Sequence, residues 1–394
     1  MLRVLTLSTL FPDATRPTFG VFVERQVQAL AARDGVAVRV VAPVGLPPWP
    51  LPRAARHRAL AALPRHETWH GVDVTRPRFA AIPGTAGRFH AGRLAAALRP
   101  VLDAIWQEAP FDVIDASFFF PDGPAAVELG RRYGVPVSIK ARGADVHLWG
   151  RARATARQVR DAAAAADGLL AVSAAMRDDM AAIGIDPARV RVHHTGVDAT
   201  RFRPCDRDDA KAALGVTGPL VVSVGALIPR KGHDVVIAAL TQLPGVTLAI
   251  VGEGPEQARL ASLARRLGVA DRVRWAGRVA HDALPGWLAA ADVMALASAS
   301  EGLANAWVEA LACGTPLVVT DAGGAREVVT SAAAGRIAAR APAAFATAIG
   351  DLLASPPAPA AVCAAAARFS WAANAATLEA HLRALVDLHQ PIRG

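Results

Sequence analysis

The sequence predicts an α/β protein made of two doubly wound, Rossmann-like domains that face each other across a cleft. Three observations predict it. The chain has 394 residues, which at about 100 to 200 residues per domain is enough for two domains with separate cores. Short apolar runs ending in turn residues alternate with longer helical stretches, the pattern of a parallel sheet covered by helices on both faces. The alternation breaks once, after Asp198, where Arg201-Phe-Arg-Pro-Cys-Asp-Arg-Asp-Asp209 reads as a linker.

The elements follow in order. Met1-Leu-Arg-Val-Leu-Thr-Leu-Ser-Thr-Leu-Phe-Pro-Asp13 reads as a buried first strand rather than a signal peptide, because its apolar core is short and Pro12-Asp13 stands where small residues would be cleaved. Residues 36–43, 113–116, 136–141, 168–173 and 190–194 continue the first sheet. A second series begins at residues 219–225 and continues at 247–252, 273–276, 292–296 and 316–320, with helices expected over 233–240 and 256–267. A last amphipathic helix, about 371–388, is expected to return to the first domain. The predicted division is 1–200, a linker at 201–209, a second domain at 210–368 and the returning helix at 369–394. Ligands of open parallel sheets bind at the carboxyl ends of the strands, so two such domains should share one deep cleft.

Composition excludes several classes. Cys205, Cys313 and Cys363 lie far apart in sequence without a CxxC or Cys/His ligand spacing, so neither a disulfide framework nor a zinc site is indicated, and a reducing cytoplasm fits best. No run of about 18 apolar residues is free of charge or proline. The net charge is +9, and all of the excess falls in residues 1–205, with 27 Lys+Arg against 18 Asp+Glu. Nine arginines lie between Arg53 and Arg99 beside Pro47-Pro-Trp-Pro50. Arginines near an interfacial Trp49 suit an anionic membrane surface; solvated arginine-rich helices account for the same charge equally well. Nucleic acid is not expected, since no basic and aromatic interleaving accompanies the charge.

The strongest chemical signal is Ser300-Glu-Gly-Leu-Ala-Asn-Ala-Trp-Val-Glu309, followed by Ala-Leu-Ala-Cys-Gly-Thr-Pro and Gly323-Gly324. Glu301 precedes a helix and Glu309 is read two turns inside it, so at 1.5 Å per residue the carboxylates stand roughly 12 Å apart. Glycosidase pairs stand about 5 to 9.5 Å apart, so these two do not act across one bond. They suit two grips on one elongated ligand, with the amides of Leu303, Ala304 and Asn305 between them and Gly302 letting backbone come close. A nucleotide sugar has that shape. Two glutamates eight residues apart are nonetheless common in helical proteins.

A second signal, Val222-Ser-Val-Gly225-Ala-Leu-Ile-Pro-Arg230-Lys231-Gly, places adjacent cations on a strand-end turn, where they would stabilise charge developing on a leaving diphosphate. A basic loop capping a helix is the alternative. Val251-Gly252-Glu-Gly-Pro255 and Trp275-Ala-Gly-Arg278-Val279 are further strand-end turns. In the first domain, Gly20 lies in a loop before an amphipathic helix, and Lys140-Ala-Arg142-Gly-Ala-Asp145-Val-His147 follows a strand. Asp206-Arg-Asp208 lies in the linker and reads as solvated acid rather than a metal site.

These motifs resemble family 4 of the retaining glycosyltransferases, whose fold is GT-B. The resemblance spans nearly the whole chain and is densest over residues 219–329. It implies that Glu301 contacts the donor sugar, Glu309 the ribose and Lys231 the phosphates, and that Gly252 and Arg278 lie in base-contacting loops. Gly20 resembles the family's loop glycine near the donor phosphates and acceptor. The sequence departs from the family where arginine is usual, at Ala226, with Arg230 beside the lysine instead, and where histidine is usual, at Arg142. Arg142 and Asp145 are therefore read as acceptor-side residues, His147 as a weak candidate base, and His193 and His194 as structural.

The resemblance implies transfer of a hexose from a nucleoside-diphosphate sugar to a glycan or lipid-linked acceptor, with retention and without a metal or other cofactor. It places the protein in cell-surface polysaccharide or glycolipid synthesis, cytoplasmic or peripheral on the inner face of the membrane. The alternatives are a GT-B-like epimerase or phosphorylase and a non-catalytic nucleotide-sugar-binding protein at a membrane.

Overall fold

A computed structural model describes residues 1–48 and 54–389. Trp49, Pro50 and Arg53, which entered the membrane-surface expectation, lie outside the described residues. The chain forms two units, Met1–Gly196 with the segment from Trp371 onward, and Val197–Ser370.

The first unit contains β1 (Leu2–Leu7), β2 (Val36–Val41), β3 (Val44–Leu46), β4 (His66–Trp69), β5 (Val72–Thr75), β6 (Arg78–Ala80), β7 (Val113–Ala116), β8 (Val137–Ala141), β9 (Gly168–Ala171) and β10 (Val190–Val192). Its main sheet has the order β10-β9-β8-β7-β1-β2-β5-β4, and β3 pairs with β6 separately. The order reverses between β1 and β7, which makes the carboxyl ends of those two strands a topological switch point.

One edge departs from the expected all-parallel sheet, because β4 and β5 form an antiparallel hairpin. Its turn is His70-Gly71, with φ of 45° and 85°. Two left-handed residues form the tight turn whose twist matches a hairpin, and the His-Gly pair carries that signal only weakly.

Leu2, Val4 and Val113 point to one face of this sheet and meet Leu30 together with Leu378 and Leu382 of the last helix, Trp371–His389. That helix therefore belongs to the core of the first unit. Further along the same face, by strand alternation, stand Thr6, Asp115, Ser117, Ser138 and Lys140, all buried. Apolar packing thus gives way to a buried polar layer towards the strand ends.

The second unit contains β11 (Leu220–Val224), β12 (Thr247–Val251), β13 (Val273–Gly277), β14 (Val293–Leu296), β15 (Leu317–Val319) and β16 (Gly335–Ile337), in the order β13-β12-β11-β14-β15-β16. Every pairing is parallel. On one face Val221, Leu248, Ile250 and Val293 pack with Val236, Leu260, Phe345 and Ile349 from the helices, and Val222, Ala249 and Met294 on the other face are buried as well. Here the order reverses between β11 and β14.

Part of the expected linker is helical. Arg207–Ala213 forms a helix whose N-cap, Asp206, accepts the amides of Asp208 and Asp209 at 3.0 Å. Asp206 is spent on that cap, and Lys211 anchors the helix to Asp292 at 2.7 Å.

Candidate functional site

The second unit's switch point carries the two strongest motifs. After β11 the chain turns through Gly225 into a short 3₁₀ turn, Pro229–Lys231, and then a helix, His233–Ala239. Between them Gly232 is left-handed at φ 69°, and a Cβ there would collide with the carbonyl of Ala297, just beyond β14. Only glycine lets these loops lie this close. Arg340 joins them by donating to the carbonyls of Ala297 (2.8 Å) and Pro229 (3.0 Å), and the Ala299 amide donates to the Arg230 carbonyl at 2.8 Å.

Glu301, only 7% exposed, is the focus of this junction. Its Oε1 accepts from Lys231 Nζ at 2.5 Å and from Ser298 Oγ at 2.7 Å, while Oε2 stands 3.4 Å from the Arg230 guanidinium. Arg230 also donates to the Ser300 carbonyl. The tertiary fold therefore unites Lys231, Arg230 and Glu301. Two cations facing one carboxylate leave excess positive charge at the strand ends, a suitable seat for an anion.

The helix after Glu301 is Asn305–Ala312, with Ala304 as its N-cap and no side chain capping it. Glu309 therefore sits about one turn into the helix, a correction to the expected two turns. Among the described residues no side chain takes up the amides of the first turn, of which that of Trp307 bonds the Ala304 carbonyl at 3.0 Å. Leu303 and Ala304 are buried and Asn305 half-buried. Gly302 accepts the Gly324 amide at 2.8 Å, so the Gly323-Gly324 turn is packed on the loop of Glu301. Glu309 Oε1 lies 3.1 Å from His281 Nε2.

Gly225, Gly252 and Gly277 extend their strands into one another: Gly225 donates to Val251 at 2.9 Å and Gly252 to Gly277 at 2.8 Å. A Cβ on Gly252 would strike the Gly225 carbonyl, so this glycine has a packing reason of its own. Arg278 is largely exposed and pairs with Glu253 at 2.9 Å.

In the first unit, Gly20 is left-handed at φ 73° and starts the helix Val21–Ala31, and a Cβ there would overlap the Leu10 carbonyl. Asp145 is fully buried and accepts the amides of Phe119 (3.1 Å), Arg142 (3.0 Å), Gly143 (2.7 Å) and Val146 (3.2 Å). Burial raises its pKa, and the amides of Gly143, Phe119 and Arg142 oppose the rise. It organises the loop that carries Arg142. Arg142 donates to the Ser117 carbonyl (2.6 Å) and Gln26 (3.2 Å) and lies over the Phe22 ring; burial pushes its guanidinium down to about 10, against the pull of Asp115 and Asp145. His147 pairs with Asp179 at 2.8 Å. His193 accepts or shares a proton with Lys140 at 2.7 Å and bonds the Asn374 carbonyl at 2.9 Å.

Sequence reasoning missed Ser298, His281 and Arg340, since none stands in a recognisable motif. It also missed the polar layer around Lys140, whose pKa burial lowers and which donates to Gln26 at 3.1 Å. Asp115 beside it is pushed up to about 6 by burial, held back by Lys140 and Arg142. Burial raises the Cys313 thiol, and the Glu309 carboxylate raises it further.

Comparison with known proteins places the chain among glycosyltransferases. Residues 20–201 match the family model Glycosyltransferase Family 4, and residues 206–369 match Glycosyl transferases group 1. The D-inositol 3-phosphate glycosyltransferase 2 of Catenulispora acidiphila is 32% identical over 330 residues, covering 75% of this chain and 77% of that protein. The D-inositol 3-phosphate glycosyltransferase of Mycobacterium tuberculosis is 44% identical over 149 residues, covering 36% and 31%. Among solved structures, sucrose-phosphate synthase from Thermosynechococcus elongatus superposes with a TM-score of 0.79 at 20% identity, covering 98% of this chain and all of that one. Anabaena HepE in complex with UDP-glucose gives 0.72 at 22%, covering 98% and 100%. Two doubly wound units, a helix returning to the first, and these likenesses show a GT-B fold, and the chain belongs to glycosyltransferase family 4.

Proposed function

We propose that this glycosyltransferase moves a hexose from a nucleoside-diphosphate sugar to a glycan or lipid-linked acceptor, with retention at the anomeric carbon and without a metal. The observation that carries the reading is the convergence of Lys231 and Arg230 on Glu301 where β11 and β14 diverge. An arriving diphosphate would find fixed positive charge there, and preorganised charge costs no reorganisation as the leaving group develops its own. Glu301 then accepts from sugar hydroxyls, the first turn of Asn305–Ala312 meets the phosphates, and Glu309 accepts from the ribose diol. Gly225, Gly252 and Arg278 line the base end. Arg142 and the loop held by Asp145 serve the acceptor. With no side chain among the described residues read as a nucleophile, the acceptor attacks the face from which the diphosphate leaves, and the leaving phosphate takes its proton. The UDP-glucose in the HepE complex supports a UDP-sugar as the first donor to try.

Two readings of the acceptor compete. The names of the two relatives favour a small anionic one such as inositol 3-phosphate, which the Arg142 guanidinium would suit. The basic first half favours a lipid-linked acceptor, with the enzyme peripheral on the inner face of a membrane, in cell-surface polysaccharide or glycolipid synthesis. Thermal shift against UDP- and GDP-sugars tests the donor, since bound ligand raises apparent stability. Transfer from the sugar that binds to soluble and lipid-linked acceptors, with the linkage assigned by NMR, tests the rest. An inverted product, or no binding by any sugar nucleotide, overturns the reading.

A further inference from the structure

Two segments of the first unit meet at its surface. One runs through 83–93, the loop before and the first turn of the helix His90–Glu108; the other runs through 146–160, from the π-helical turn Asp145–Trp149 into the helix Ala156–Ala165. Gly87 packs on the side chains of Trp149, Phe120 and Thr155. The His90 and Trp149 rings stand 6.5 Å apart, and Gln158 donates to the Arg88 carbonyl at 3.0 Å. The two segments therefore form one continuous face.

Their composition is unlike that of an ordinary surface. Neither stretch contains an aspartate or glutamate, and together they carry Arg88, Arg93, Arg151, Arg153, Arg157 and Arg160, all exposed. Of the acids that flank the second stretch, Asp145 is buried and Asp161 lies 3.5 Å from Arg157, while Asp179 is engaged by His147 at 2.8 Å. Amid these cations two large apolar side chains face solvent, Phe89 at 49% and Leu148 at 59% exposure. A soluble polyanion would use the arginines and leave Phe89 and Leu148 in water. A bilayer surface uses both, because apolar side chains enter the interface while arginines reach the head groups.

We propose that this face, Phe89 and Leu148 together with the six exposed arginines of the same two segments, rests on a membrane surface rich in anionic phospholipid. It adjoins the loop of Arg142 and Asp145 in the same unit, only a few residues along the chain, so docking would bring a lipid-linked acceptor beside the acceptor-side residues. The proposal deepens the lipid-linked reading above and rests on it for its purpose, but vesicle binding is read without any transfer reaction.

The test is co-sedimentation of the full chain with vesicles of phosphatidylcholine alone or mixed with phosphatidylglycerol, at low and high salt. The protein should bind only the mixed vesicles. R151E/R153E should lower partitioning about tenfold or more at low salt, and F89S/L148S should remove the part that survives high salt. Unchanged melting temperatures and unchanged thermal shift by the donor, which occupies the other unit, show that the variants are folded. Absence of binding to the mixed vesicles overturns the proposal, as does parental binding by R151E/R153E. Loss of binding to inorganic polyphosphate in R151E/R153E, with F89S/L148S still bound to vesicles at high salt, would assign the face to a soluble polyanion instead. Failure of every sugar nucleotide to bind would defeat the proposed function and leave the vesicle result standing.

Discussion

Lys231 and Glu301 are 70 residues apart in sequence and 2.5 Å apart in space, Nζ to Oε1. They join the ends of β11 and β14, which are neighbours in the sheet where the strand order reverses. Each is nearly buried, with side-chain exposures of 15% and 8%, so each depends on the other. Removing one leaves the second short of a partner in a poorly solvated place.

K231A should lower kcat by about 10²- to 10³-fold, the usual loss when one preorganised donor to a developing negative charge is removed, with a smaller change in donor KM. Steady-state kinetics with a soluble acceptor measures both. Loss confined to KM would place Lys231 in ground-state binding only.

Glu309 presents its carboxylate beside His281, whose ring holds it from the side. E309A should weaken donor binding by about 10- to 100-fold, as expected for a lost charge-assisted hydrogen bond, with kcat at saturating donor largely kept. H281Q, which retains a donor at similar reach, should lie between parent and E309A. Calorimetric titration with the donor checks both; unaltered affinity in E309A removes its ribose role.

Gly323 is left-handed at φ 54°, and a Cβ there would overlap the carbonyls of both Glu301 and Gly302. G323A should therefore displace the loop of Glu301. The expected cost is about 1 to 3 kcal/mol, typical of overpacking, seen as a lower urea midpoint, together with a fall in turnover. Parental turnover in G323A would show that the loop position is not critical.

Asp122 is buried at the end of the first sheet, accepting the Thr9 amide at 2.8 Å. Burial pushes its pKa up to about 7, so the folded chain keeps this carboxyl protonated where the unfolded chain ionises it. Its contribution to stability is full below the ordinary carboxyl pKa of about 4 and is lost as pH rises through about 7. His233 and His381, both pushed down to about 4 by burial, act in the opposite sense: the stability they allow is present above about 6.5 and is lost as pH falls. D122N isolates the carboxyl. Relative to the parent it should gain stability between about pH 4 and 7, measured by urea unfolding across that range; a constant difference would assign the burial cost elsewhere.

Much of the fold was legible because parallel strands buried on both faces announce themselves as short apolar runs between helices. Leu220–Val224, Thr247–Val251 and Val293–Leu296 were readable in this way, and so was the glutamate block, whose residue types and turn glycines are local. The β4–β5 hairpin was not: its His70-Gly71 turn is an unusual pair, and its strands mix charged and aromatic residues at a sheet edge. The helix Arg207–Ala213 was hidden in a stretch rich in charge and punctuated by proline. Asp206-Arg-Asp208 offered two acids to a metal or to solvent, and capping used one of them.

The sequence by itself determined two α/β halves, the strands that build them, the positions of Glu301 and Lys231 beyond strand ends and of Glu309 in the helix that follows, and the family. Those follow from periodicity and from short contiguous motifs. Only the tertiary structure decided what those residues touch. The pairing of Lys231 with Glu301, the stitching of their loops by Arg340, the placing of His281 on Glu309 and of Lys140 among Gln26 and His193 depend on strand order, which links residues tens to hundreds of positions apart. Likewise, the surface of Phe89 and Leu148 exists because residues 83–93 and 146–160 pack together. Sequence periodicity carries the direction of each side chain relative to its own element, and packing alone sets which elements become neighbours.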